Sequence, residues 1–156
     1  MPKPQSSLKA IIAQVIIELK KLKTANGYAT NIEDTSITKR YNDFKGMTAI
    51  QYPCCYLTFV NSSSELYPTR SVKREATLTL LFKFRVQQNE AACDLAADLE
   101  TDLEYLFSQN IGLVDEDGNR LASLTKVGDV KTDRGLRDGE TRVTVDLIVS
   151  YHTGYQ

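Results

Sequence analysis

The segment ATLTLLFKFRV, residues 76–86, decides the fold. Its even positions are apolar, and its odd positions are polar except for Leu81. This period of two predicts a strand with one buried face and one face that is wet or meets another protein. Burying each large apolar side chain contributes about 1.5–3 kcal/mol, so the strand supplies on the order of 10 kcal/mol of gross stabilisation. The even positions are Ala76, Leu78, Leu80, Phe82, Phe84 and Val86.

A long helix is predicted directly after this strand. Asn89 is a suitable N-cap, and Glu90 suits the positive end of a helix. Apolar residues then recur at three- and four-residue steps as far as Phe107, which is typical of an amphipathic helix. The opposite face is acidic, so we predict that it is either solvated or in contact with a basic neighbour. Its acidic residues are Asp94, Asp98, Glu100, Asp102 and Glu104.

The chain begins with a short flexible tail, residues 1–6, and a second helix. Ser6 or Ser7 can cap that helix, and Asn26-Gly27 is the predicted stop. Its charges are mostly positive, with Lys9, Lys20, Lys21 and Lys23 against Glu18. The two helices therefore have opposite charge. Either they lie side by side on one face of the sheet, or they pair between subunits.

Further alternating segments predict the rest of an antiparallel sheet. We expect a short strand within Tyr28 to Ile37, a strand from Cys54 to Val60 that ends at Asn61, and a small strand from Ile111 to Val114 before an Asp-Gly turn. Leu124 to Lys131 and Arg142 to Tyr151 form a long C-terminal hairpin. The predicted fold is one α+β domain over residues 1–156, a mainly antiparallel sheet with two helices on one face.

Two charged connections are the candidate interfaces with other subunits or partners. Thr38 to Tyr52 mixes basic and aromatic residues. Such a loop packs on its own domain or on a neighbouring copy, or stacks on nucleic acid bases. Thr132 to Thr141 is longer than a tight turn requires, so we expect an exposed tip. The candidate interface residues are Lys39, Arg40, Tyr41, Phe44, Lys45, Asp133, Arg134, Arg137 and Asp138.

No pattern in the sequence indicates a catalytic, cofactor or metal site. The nucleotide-binding glycine motifs, a CxxC pair and a G-x-S-x-G motif do not occur, and His152 is the single histidine. We therefore expect no enzyme activity and no cofactor. Three cysteines without metal spacing indicate free thiols in a reducing compartment. A net charge of −1 and no apolar run of about 20 residues argue against a general polyanion-binding surface and a membrane span.

The predicted strand is longer than the helix that covers it. Residues 76–86 span about 36 Å as a strand, whereas residues 90–108 span about 28 Å as a helix. An overhanging sheet exposes edges and apolar surface, which favours self-association.

Three segments within this layout carry a family resemblance. They are LKAII at residues 8–12, LKTANGY at 22–28, and YPCCYL at 52–57, the last ahead of the central strand and helix. With this order of elements, the chain resembles the tail terminator (tail completion) proteins of long-tailed bacteriophages. Small neck and minor tail proteins share similar layouts.

The resemblance implies a mechanical role in the virion. Family members form a six-subunit ring that caps the tail tube, stops its polymerisation and offers a surface to the head–neck connector protein. The expected partners are therefore copies of itself, the tail tube protein and the connector, with no membrane and no sequence-specific nucleic acid. The expected location is the tail or neck of a virion made in the bacterial cytoplasm. The alternatives are another neck or minor tail structural protein, or a small dimeric module that binds a ligand or nucleic acid.

Overall fold

The chain folds into a five-stranded sheet with two helices. The computed structural model describes residues 7–38, 52–66, 71–85, 92–133 and 140–154. The strand order is β1-β2-β3-β5-β4, with β1 parallel to β2 and all other neighbours antiparallel. The predicted α+β class, with two helices on one face and a long C-terminal hairpin, is confirmed. The elements are α1 Ser7–Leu19, β1 Ile37–Thr38, β2 Cys54–Leu66, β3 Ser71–Arg85, α2 Ala92–Ser108, β4 Leu124–Thr132 and β5 Glu140–Gly154.

The core lies between the helices and one face of the sheet. The described even positions of β3 are buried, from Ala76 to Phe84, as the alternation predicts. They pair across the sheet with β5, where Leu80 lies opposite Val145 and Phe82 opposite Val143. These side chains form one apolar cluster with the buried stripes of α1 and α2. The central strand and the C-terminal hairpin thus form a single packed layer.

The first helix is shorter than predicted. It ends at Leu19, and the chain continues through tighter backbone bonds, with the Leu22 N–H donating to the Leu19 carbonyl at 3.1 Å. Gly27 adopts a φ of 90° and ends a separate 3₁₀ turn, Thr24–Asn26. Leu22 lies beyond this end and is fully buried in the core. The short strand predicted within residues 28–37 begins only at Ile37.

The second strand is longer than predicted. Asn61 does not end it, since pairing with β3 continues to Leu66 opposite Val72. Ser62 accepts hydrogen bonds from the Arg74 guanidinium at 3.2 and 3.3 Å. A polar run forms strand here because β3 supplies backbone partners, although Asn61 is exposed and contributes nothing to the core.

The small hairpin and the C-terminal tip both differ in extent from the prediction. The strand expected before the Asp-Gly turn is a single bridge, Val114 to Arg120. The tip expected over residues 132–141 is narrower, because its first residue belongs to β4 and its last two belong to β5. Thr141 is fully buried, so this end of the tip is not an exposed surface. Residues 134–139 lie outside the described residues.

The sheet is much longer than the helices. β3 and β5 have 15 residues each, which corresponds to about 50 Å. The 17 residues of α2 correspond to about 25 Å. At the far end of the β2–β3 pair, Asn61, Ser63 and Glu75 are exposed. The observed elements therefore keep the predicted overhang.

Candidate functional site

The two sides of the sheet end in strands of different character. β4 is the last strand on one side, and no other described strand pairs with its outer edge. Its pairing with β5 is interrupted between Val127 and Val130, and it exposes Lys126 and Lys131. Bulges and lysines are devices that limit unwanted pairing at an edge. Among the described residues the β4 edge is thus unpaired, and its bulge and lysines act against pairing with an arbitrary strand.

On the other side, β2 is only partly covered. Among the described residues, β1 pairs with it at Cys55 and Tyr56 alone. The outer edge from Leu57 to Leu66 has no described partner strand, and its only charged residue is Glu65. Within the described residues, β2 therefore has a second unpaired edge, of a length similar to β4 and without lysine or arginine.

The strands at the two edges of the sheet run in opposite directions. β2, β3, β5 and β4 are antiparallel in succession, so β2 and β4 run in opposite directions. Rotation about an axis parallel to the strands leaves strand directions unchanged. A β4 edge placed by such a rotation beside the β2 edge of another copy would therefore be antiparallel to it, the arrangement of most sheet pairs.

Most sequence-predicted interface residues are not placed by the structure. Lys39, Arg40, Tyr41, Phe44, Lys45, Arg134, Arg137 and Asp138 lie outside the described residues. Asp133 is described and is half-buried rather than exposed at a tip. Its N–H donates to the Arg142 carbonyl at 3.1 Å, and its Oδ1 accepts from the Arg142 N–H at 3.2 Å. Asp133 thus closes the base of the β4–β5 hairpin.

A carboxylate cluster lies at the end of the sheet where both predicted interface loops begin or end. Glu140 Oε2 accepts from the Tyr52 hydroxyl at 2.7 Å, and its Oε1 accepts from Arg142 Nε at 2.8 Å. Lys83 Nζ lies 3.9 Å from the same Oε1 and 5.3 Å from the centre of the Tyr56 ring. The cluster joins the start of β2, the end of β3 and the start of β5.

The titration properties of the cluster follow from its contacts. Burial acts to raise the pKa of Glu140, but the hydrogen bonds from Arg142 and Tyr52 outweigh it, so that the pKa is lowered. Burial, and then the bond to Glu140, raise the pKa of Tyr52 to about 12. Burial also raises the pKa of the neighbouring Cys54 thiol to about 11. At neutral pH the cluster therefore holds an ionised carboxylate, a neutral phenol and a neutral thiol.

Sequence reasoning missed this cluster. Glu140 was assigned to the charged tip, and Tyr52 to the end of the other loop. The one indication in the sequence was strand alternation. Glu140 and Arg142 are two residues apart, so they share the polar face of a strand whose other face is apolar. The cluster brings the C-terminal ends of the two loops together, because the Tyr52 hydroxyl at one end donates to Glu140 at the other.

A second carboxylate was predicted on the wrong surface. Asp102 was expected on the wet face of α2, but it is only 8% exposed. Its oxygens accept from the backbone N–H groups of Ala29, at 3.2 Å, and Thr30, at 2.7 Å. It ties the segment after α1 to the middle of α2. The other acidic residues of that face, Asp94, Asp98, Glu100 and Glu104, are exposed as predicted.

The described residues offer little for catalysis. They contain no group of three or more side chains that could hold a metal ion. His152 is exposed at the rim of a shallow depression of about 270 Å³, beside Arg120 and Ser123. Cys54 and Cys55 are buried free thiols. None of the described helices combines the length and apolarity that crossing a membrane requires.

Comparison with known proteins does not assign the chain to a family. No protein-family model matches the sequence, and no curated protein gives a significant match.

Proposed function

We propose that this chain is a ring-forming structural subunit of a phage virion, and specifically a tail terminator. In this role, copies of the chain form a ring that caps the tail tube and joins it to the head–neck connector. The function rests on surface complementarity and involves no bond making or breaking. The finer identity, terminator rather than another neck or minor tail protein, rests on the resemblance in sequence layout.

The observation that carries the proposal is the pair of complementary sheet edges. A ring needs two different surfaces on each subunit, because every contact is head-to-tail, which here means the β2 edge of one copy against the β4 edge of the next. The two edges lie on opposite sides of one sheet, and they would be antiparallel in a ring whose axis is parallel to the strands. Backbone pairing between added strands is an established mode of association.

The first experiment measures the oligomeric state of the purified chain. Light scattering after gel filtration should give six times the mass of the chain, and negative-stain microscopy should show rings with a central hole. A monomer at high micromolar concentration, or a closed two-fold dimer, would overturn the proposal.

The second experiment blocks one edge. Asn61→Lys combined with Ser63→Lys places two charges on the exposed end of the β2 edge, and lysines at an edge oppose strand addition. The matched control is Glu75→Lys, which changes the net charge equally at an exposed residue opposite Ser63, one strand further in. The double variant should be a folded monomer and the control should assemble. Equal assembly of both would refute the use of the β2 edge.

Partner binding distinguishes the terminator from a self-assembling protein of another kind. Purified rings should cap the ends of polymerised tail tubes and stop further addition of tube subunits. Tube length that does not respond to the rings would reject the terminator role and leave the ring itself intact.

A further inference from the structure

The two helices lie over opposite edges of the sheet. α1 lies against β1, which pairs with β2, and α2 packs on β4. A contact between the β2 edge of one copy and the β4 edge of the next therefore brings α1 of the first copy towards α2 of the second. The surfaces that would meet are the outer flanks of the helices. The outer flank of a helix is the side turned away from the other helix of the same subunit.

On the flanks that face each other within one subunit, the carboxylates Glu18 and Asp102 already have hydrogen-bond or ion-pair partners. Glu18 of α1 is 2% exposed and accepts from Asn110, just beyond α2, at 3.0 Å. It also pairs with Lys21 at 2.9 Å. Asp102 of α2 binds the segment after α1. Among the residues that the structure describes, no ion pair joins a lysine of α1 to a carboxylate of α2.

The outer flank of α1 is apolar with a basic border. Helix periodicity places Ile12 and Ile16 on the side away from Glu18, and both are half-buried. Lys9 follows next around the helix. So does Lys20, which comes directly after the end of α1 and whose N–H still donates to the Ile16 carbonyl at 3.2 Å. Both lysines are exposed. No described carboxylate lies within ion-pair distance of either lysine.

The outer flank of α2 is acidic. Glu100 and Glu104 are one turn apart, so they share a face, and both are exposed. Asp102, which points towards the segment after α1, lies on the other side of the helix by the same periodicity. The helix contains no lysine or arginine from Ala92 to Ser108. Neither glutamate forms an ion pair within the described residues.

From this placement we infer that α1 of one copy docks beside α2 of the next, with Lys9 and Lys20 facing Glu100 and Glu104. The inference rests on the proposed ring, and this contact would set the head-to-tail order of its subunits. A basic flank and an acidic flank attract, whereas like charges placed against each other oppose association. Because the contact is between exposed charges, high salt should weaken it.

A charge exchange between two variants tests the contact. One variant carries Lys9→Glu and Lys20→Glu, and the other carries Glu100→Lys and Glu104→Lys. Each alone places like charges at every contact, so the concentration for half assembly should rise roughly tenfold or more. An equimolar mixture restores opposite charges at both kinds of contact if the variants alternate. Alternation is compatible with a six-membered ring.

The control is a variant with Asp94→Lys and Asp98→Lys. It makes the same charge change on the same helix, but helix periodicity places both residues on the flank turned towards the segment after α1. It should assemble like the wild type. Far-UV circular dichroism and urea midpoints establish that each variant is folded, as expected for exposed positions.

The outcomes separate this contact from the proposed function. Loss of rings in each charge variant, with recovery in the mixture, supports the contact. Rings in either variant alone at wild-type concentration would overturn the contact while the ring proposal stands. Folded variants that fail to assemble even when mixed would overturn it as well. A wild type without rings would overturn both proposals.

Discussion

Replacing Asp102 with alanine tests whether one buried carboxylate holds the segment after α1 to the rest of the domain. The two oxygens accept from consecutive backbone N–H groups, from Ala29 at 3.2 Å and from Thr30 at 2.7 Å. Ala29 is exposed, so its N–H can turn to water in the variant. Thr30 is buried, so its N–H loses its acceptor in an environment that offers little replacement.

The expected loss follows from this difference. A hydrogen bond to a charged group contributes about 1.5–3 kcal/mol. We assign the full contribution to the bond from Thr30 and a small one to the bond from Ala29, whose N–H can bond water instead. The free energy of unfolding should therefore fall by about 2–3 kcal/mol. With a urea slope of about 2 kcal/mol per molar, the midpoint should fall by about 1–1.5 M.

Asp98→Ala is the matched control for this measurement. It makes the same substitution one turn earlier on α2, at an exposed position, so the gain in helix propensity from alanine is common to both variants. The control should change the free energy of unfolding by no more than about 0.5 kcal/mol. Equal midpoints for Asp102→Ala and Asp98→Ala would refute the structural role of the buried carboxylate.

Two further predictions concern the carboxylate cluster and the thiols. Because the pKa of Glu140 is lowered from 4.5, its ionised form stabilises the fold above about that pH and this contribution is lost as pH falls through the lowered value. The stability difference between wild type and Glu140→Gln should therefore be largest near pH 7 and shrink below about pH 4, as measured by urea midpoints. A constant difference across this range would contradict it. Cys93 is exposed while Cys54 and Cys55 are buried, so a thiol reagent should modify Cys93 in the native protein and the other two only in denaturant. Fast native labelling of all three would show that the start of β2 is not packed as described.

The central strand β3 and the helix α2 were predictable because burial of one apolar face determines both. In β3, side chains alternate between a dry and a wet face, and a run such as Leu78, Leu80 and Phe82 has no other compact arrangement as a strand. The stripe of α2 follows from helix periodicity for the same reason. Where burial alone selects the conformation, the pattern of apolar residues is sufficient.

The failed predictions have a different cause, which is competition between local preference and tertiary partners. Asn61 and the serines after it have weak strand preference, yet β3 supplies their backbone partners and the strand continues. The periodicity of α1 runs on to Leu22, but the helix ends at Leu19 and Leu22 joins the core from the tighter turn that follows. Neither outcome is encoded within the segment itself.

The polar contacts of the candidate site were the least predictable part. Asp102 and Asp98 are the same residue type one turn apart on one helix, and only the approach of a distant backbone distinguishes them. Glu140 likewise acquires its role from Tyr52, 88 positions away in the chain. Contacts of this kind depend on the completed fold, and the pattern of charge in the sequence does not reveal them.

The distribution of charge over the two helices also bears on the symmetry of assembly. A two-fold dimer through the β2 edges would bring α1 beside α1, and hence lysines beside lysines. A dimer through the β4 edges would bring the acidic α2 beside its copy. It would also place the exposed lysines of β4, Lys126 and Lys131, beside those of the other copy. Only head-to-tail contact places opposite charges together on the helix layer. In the proposed assembly, a contact of that kind would close into a ring or grow as a filament. The angle between neighbouring sheets, rather than the charges, would then determine how many subunits complete it.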